Sequence, residues 1–111
     1  MSVAYYTVRE PSPSAISHPI HVRVTRDKQK AIIHRIVARN TSGNTGYVEV
    51  WIISSWGDIL VARQTSLSAR TPIIVDTPFP VSENTYVNVT FVSIATEDVL
   101  EVYVIADVED M

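Results

Sequence analysis

Apolar residues recur at every second position along most of the chain. Val48, Val50 and Ile52 alternate with Tyr47, Glu49 and Trp51. Val87, Val89 and Phe91 alternate with Asn88 and Thr90, and Leu100, Val102, Val104 and Ala106 alternate with Glu101, Tyr103 and Asp107. A strand turns successive side chains to opposite faces, so a period of two places one set on a core face. Val50, Ile52, Val89, Phe91, Val102 and Val104 are the expected core. Valine and isoleucine dominate these runs, and their branched side chains favour strands over helices.

Turn formers break the pattern. Thr41-Ser42-Gly43-Asn44-Thr45-Gly46 reads as a loop, Trp56-Gly57-Asp58 as a tight turn, and Ala95-Thr96-Glu97-Asp98 as the link between the last two strands. Thr77-Pro78-Phe79-Pro80 is excluded from a central strand because its prolines remove ladder donors. Eight strands follow, at about 3–8, 20–25, 31–39, 47–54, 58–64, 71–76, 85–94 and 99–107, with no helix of useful length. The expectation is an all-β chain forming a single sandwich of about eight antiparallel strands. A jelly-roll-like winding is the first choice and an immunoglobulin-like one the second.

The N-terminal stretch departs from this rhythm. Arg9-Glu10-Pro11-Ser12-Pro13-Ser14-Ala15 is polar and proline-rich and reads as an extended linker. Residues 1–17 are therefore expected to form an arm and linker, and 18–111 the sandwich. The apolar strand 3–8 either completes a neighbour's sheet or folds back on its own.

A length of 111 residues fits one domain. The absence of cysteine removes disulfides and thiolate metal sites from consideration. Nine basic and twelve acidic residues give a net charge of −3, too balanced for the basic face that nucleic acid requires. The acid-rich end, 107–111, reads as a solvated tail. No basic, apolar leader opens the chain and no apolar window reaches membrane-spanning length, so neither a secretory signal nor a membrane span is expected. The sequons at Asn40 and Asn88 are then read as chance matches.

Chemistry finds little support. His18 and His21 are three apart on an expected strand and so point to opposite faces, and His34 sits among apolar neighbours. No serine lies in a Gly-x-Ser-x-Gly elbow, and three glycines leave no phosphate-cradling loop. No catalytic residue, cofactor or metal ligand is assigned, and the chain is not expected to be an enzyme.

The aromatic residues carry more. Tyr5, Tyr6, Tyr47, Trp51, Trp56 and Tyr103 are candidate contact residues. Base stacking would need interleaved cations, whereas the only lysines, Lys28 and Lys30, share one turn. Subunit contact fits better. The outward sets of three strands are Ile33, Arg35, Val37 and Arg39; Tyr47, Glu49, Trp51 and Ile53; and Val99, Glu101, Tyr103 and Ile105. They hold more large apolar groups than a solvent face needs. A second buried surface is expected, shared by Tyr47, Trp51 and Tyr103, in a homo-oligomer such as a trimer or larger ring.

From His18 to Val108 the chain resembles small β-sandwich virion proteins of tailed bacteriophages, which decorate heads or serve as neck or tail accessories. The matching pieces are Ala31-Ile32-Ile33-His34-Arg35-Ile36-Val37-Ala38-Arg39-Asn40-Thr41-Ser42-Gly43, Tyr47-Val48-Glu49-Val50-Trp51-Ile52, Arg70-Thr71-Pro72-Ile73-Ile74-Val75 and Thr85-Tyr86-Val87-Asn88-Val89. The first turn, Arg26-Asp27-Lys28-Gln29, stands where that family carries Pro-x-Gly. The resemblance implies a structural role, binding and stabilising a viral shell or tail through a major capsid or tail protein. It places the protein in the virion after synthesis in the host cytoplasm. The alternative is a cellular carbohydrate- or protein-binding sandwich, favoured by Trp56 in its turn.

Overall fold

The computed structural model describes residues 2–76 and 78–111. Met1 and Thr77, the first residues of the expected arm and of the Thr77-Pro78-Phe79-Pro80 break, lie outside them.

The chain is all-β, with nine strands among the described residues: β1 (Ser2–Pro11), β2 (Ser17–Arg23), β3 (Gln29–Asn40), β4 (Thr45–Ser54), β5 (Gly57–Leu67), β6 (Ile73–Val75), β7 (Phe79–Val81), β8 (Tyr86–Val92) and β9 (Val99–Asp110). They form two antiparallel sheets. The first runs β1-β9-β3-β6, with β7 also paired to β3; the second runs β2-β8-β4-β5. Apart from the β4–β5 hairpin and the β6–β7 step, every connection crosses between sheets. That alternation is the jelly-roll-like winding, and it makes almost every pairing long-range.

The inward set of each strand meets in one core. Val48, Val50, Val87, Val89, Phe91, Leu100, Val102 and Val104 are fully buried, and Ile20, Ile33 and Ile36 close the space around them. All six residues expected in the core lie there. Buried side chains also pin each end of the sandwich. At one end Asn40 Nδ2 donates to Asp98 Oδ2 at 2.8 Å while Asn40 Oδ1 accepts from the Ser42 and Gly43 amides. At the other, Thr25 Oγ1 donates to the Ser82 carbonyl at 2.6 Å and accepts from the Thr85 amide at 2.9 Å. Buried polar atoms are retained here because each has a partner.

Four sequence expectations are corrected. The strand of the expected arm is β1, and it pairs with β9 of its own chain from Ser2↔Val108 to Pro11↔Val99; within one chain it is folded back. The expected solvated tail is the end of β9, which pairs with β3 as far as Gln29↔Asp110. A ninth strand, β7, falls within the proline-rich break. Pro80 is tolerated there because β7 lies at the sheet edge against β3 and pairs on one side only. Ile33, placed on the outer face by simple alternation, is buried, because a bulge between Ile33 and Arg35 shifts the phase of β3. The extra residue leaves both His34 and Arg35 exposed.

Candidate functional site

The outer face of the first sheet is built from four strands in register. One cross-row is Thr7, Tyr103, Val37 and Ile74; the next is Tyr5, Ile105 and Arg35. Tyr5 and Tyr103 are therefore diagonal neighbours, and their rings stack with centroids 6.3 Å apart and planes 28° from parallel. Tyr5 is 64% exposed and Ile74 53% exposed, so this apolar strip faces solvent. Beside Tyr103 lies an open hollow of about 280 Å³, lined by Thr7, Val37, Arg39, Glu101, Val102 and Tyr103.

Charges frame the strip and are paired within the chain. Glu101 takes Arg39 Nε at 2.7 Å and Arg9 Nη1 at 3.5 Å. Arg35 donates two parallel hydrogen bonds to Asp76, both at 2.8 Å. Those bonds hold the Asp76 carboxyl below the usual aspartate range and raise the Arg35 guanidinium, the hydrogen bond being the larger cause in each case. His34 Nε2 lies 2.6 Å from Asp107 Oδ2, and Lys30 reaches Glu109 at 3.9 Å.

The outer face of the second sheet carries Tyr47, Glu49, Trp51 and Ile53 on β4, all half-buried. Arg63 lies over the Tyr47 ring at 4.5 Å and Arg23 over Tyr86 at 5.1 Å. Asn88, opposite Trp51, keeps its side-chain oxygen buried without a hydrogen-bond partner.

The six candidate aromatics thus do not form one surface. Tyr5 and Tyr103 meet on the first sheet. Tyr47 and Trp51 lie on the opposite outer side of the sandwich, so the expected union of Tyr47, Trp51 and Tyr103 is incorrect. β4 and β9 belong to different sheets, and outward from one sheet is away from the other. Tyr6 turns inward, packs on the core and donates its hydroxyl to the Val24 carbonyl at 3.0 Å. Trp56 stands at the β4–β5 hairpin tip, 87% exposed, with Nε1 donating to Ser82 Oγ at 3.2 Å. It borders a hollow of about 270 Å³ that Ile52, Ile59, Pro80 and Val81 help to line.

Sequence reasoning missed Ile74, because a three-residue strand shows no readable alternation. Among the described residues, no group of three or more His, Cys, Asp or Glu side chains could hold a metal ion. The sequon residue Asn40 is buried, with its amide nitrogen bonded to Asp98.

No family model matches the chain, and no curated protein matches it. Solved structures do. A Drosophila NLP core, described in terms of pentamer formation and histone binding, aligns at 19% identity over 96% of this chain and 99% of that one, with a TM-score of 0.50. A Bacillus endospore appendage protein, from a family of disulfide-linked pili, aligns at 12% identity over 99% of this chain and 88% of that one, with a TM-score of 0.52. A protein of infectious bursal disease virus aligns at 12% identity and a TM-score of 0.44, covering 94% of this chain and 32% of that one. The likeness to the NLP core and to the appendage protein shows the fold alone.

Proposed function

We propose that the chain is a non-catalytic structural subunit that binds and stabilises a larger protein assembly, as a decoration or accessory subunit of a virion shell or tail. The observation that carries this reading is the outer face of the first sheet. Val3, Tyr5, Tyr103, Ile105, Val37 and Ile74 line it, and its charges are already neutralised inside the chain. A protein surface laid on this strip buries aromatic and branched side chains without leaving a new unpaired charge, which is the costly event at an interface. The partner that fits is a flat, apolar protein surface: a major capsid or tail protein, or further copies in a trimer or ring. The same fold occurs in a pentamer-forming core and in a pilus protein, so it is compatible with ordered assembly.

The deciding experiment is mass spectrometry of purified virus particles, which should find the chain at high, fixed copy number. Its absence from particles, together with a monomeric chain in light scattering, would count against the reading.

A second reading rests on Trp56. An indole that is 87% exposed above a hollow is also a platform for a sugar ring, as in a carbohydrate-binding module. Glycan-array binding that disappears in Trp56→Ala, with a monomeric wild-type protein, would favour it.

A further inference from the structure

Strand β5 is a sheet edge left open along its whole length. It pairs with β4 alone among the described residues and runs from Gly57 to Leu67 without a proline or a lysine. Edge strands that must stay free are normally shortened, charged, bulged, covered or interrupted by proline, and of these β5 has one bulge and two isolated charges over eleven residues. The other edges here follow that practice. β2 carries Pro19, which has no N–H; β6 and β7 are three residues each, with Pro80 in the second; β1 ends on Arg9-Glu10-Pro11.

Two features of β5 name what it fits. The first is charge. Asp58 and Arg63 make no ion pair among the described residues. They are five apart, which regular alternation would place on opposite faces. A bulge skips Val61 in the pairing with β4, so Asp58 lies opposite Ile53 and Arg63 opposite Glu49, both on the outward face. The second is an uncovered inner side. Ile59 lies opposite buried Ile52 and so belongs to the core side, yet it is 60% exposed because β6 and β7 across the sandwich are too short to cover it.

We infer that β5 pairs with β5 of a second copy, antiparallel about a two-fold axis between Leu60 and Val61, joining the two second sheets into one continuous sheet. In that register Asp58 of each copy faces Arg63 of the other on the outer side. On the inner side Ile59 of each copy meets Ala62 of the other. The axis coincides with the bulge, so Gly57 to Leu60 of one copy lie along Val61 to Gln64 of the other. The contact is isologous and therefore closed, giving a dimer rather than a filament. It uses the lateral edge of the second sheet, so it leaves the Tyr5–Tyr103 face open and stands independently of the role proposed for that face.

A charge swap tests this. Wild type, Asp58→Arg, Arg63→Asp and the double exchange are compared by analytical ultracentrifugation, with circular dichroism as the check on folding. The wild type should be dimeric. Each single variant sets like charges opposite each other twice per dimer and should weaken association about tenfold or more. An equimolar mixture of the two single variants should form a heterodimer, and the double exchange should recover the homodimer. A monomeric wild type at high micromolar concentration overturns the inference. So does an oligomer that neither single variant weakens, or weakening that neither mixing nor the double exchange repairs. Tyr103→Glu should leave this dimer intact, which separates its failure from failure of the face on the first sheet.

Discussion

Asn40 and Asp98 hold one end of the sandwich shut from 58 residues apart: the Asn40 side-chain amide donates to an Asp98 oxygen at 2.8 Å, with both residues buried. That same oxygen accepts the Ala95 amide at 3.0 Å. A Cβ on Gly43 would stand 3.0 Å from it, so the absence of a side chain there is what lets the β3–β4 loop close on the carboxylate. Asp98→Ala should leave two donors without a partner in a dry site and cost about 2–4 kcal/mol in urea unfolding, near the sum of two unmet hydrogen bonds. Asn40→Asp should also destabilise, by setting two carboxylates together.

Phe91 is the largest fully buried side chain and lies between Val48 on β4 and His18 on β2 in the ladder. Phe91→Ala should cost about 3–5 kcal/mol through lost transfer energy and the cavity left behind. An unfolding midpoint that barely moves would show that the core collapses around the gap.

Tyr103→Glu and Trp51→Glu now test separate surfaces, because the two residues point away from each other on different sheets. Tyr103→Glu should weaken particle binding by about 2–4 kcal/mol, the range for an unpaired charge at an aromatic anchor. Trp51→Glu should leave that binding intact. Co-sedimentation with stripped particles reads both.

A chain beginning at Ser17 loses β1. No β1 side chain is fully buried, but Tyr6 and Val8 pack on the core and the whole of β9 becomes an edge. The expected result is a lower melting temperature and aggregation through β9 rather than a well-folded monomer. A truncated chain that melts like the full one would instead restore β1 as a detachable arm.

The Arg35–Asp76 pair should appear in an acid titration. Its carboxyl is lowered in the folded chain, so its contribution is present above the ordinary aspartate value of about 3.9 and lost as pH falls through the folded value below that. Carboxyl NMR should place Asp76 below a free aspartate, and Arg35→Gln should return it. Both groups are exposed, so the melting temperature at neutral pH should barely respond.

Much of this protein was determined by the sequence on its own terms. Alternation with period two is a local property, since each residue's face follows from its neighbour's. Val50, Ile52, Val89, Phe91, Val102 and Val104 could therefore be assigned to the core without knowing what they touch, and branched residues with short turns settled the all-β class. The outward sets of β4 and β9 were equally legible. Which sheet each strand joins was not, because that is decided by pairings between residues far apart in the chain. Only the tertiary structure put Tyr103 beside Tyr5, sent Trp51 to the opposite side, and turned Tyr6 inward to Val24. Bulges were also hidden. One inserted residue at His34 buried Ile33, and another at Val61 set Asp58 and Arg63 on one face. A bulge sets two residues of one strand against one of its partner, so it shows only once the partner strand and its register are known.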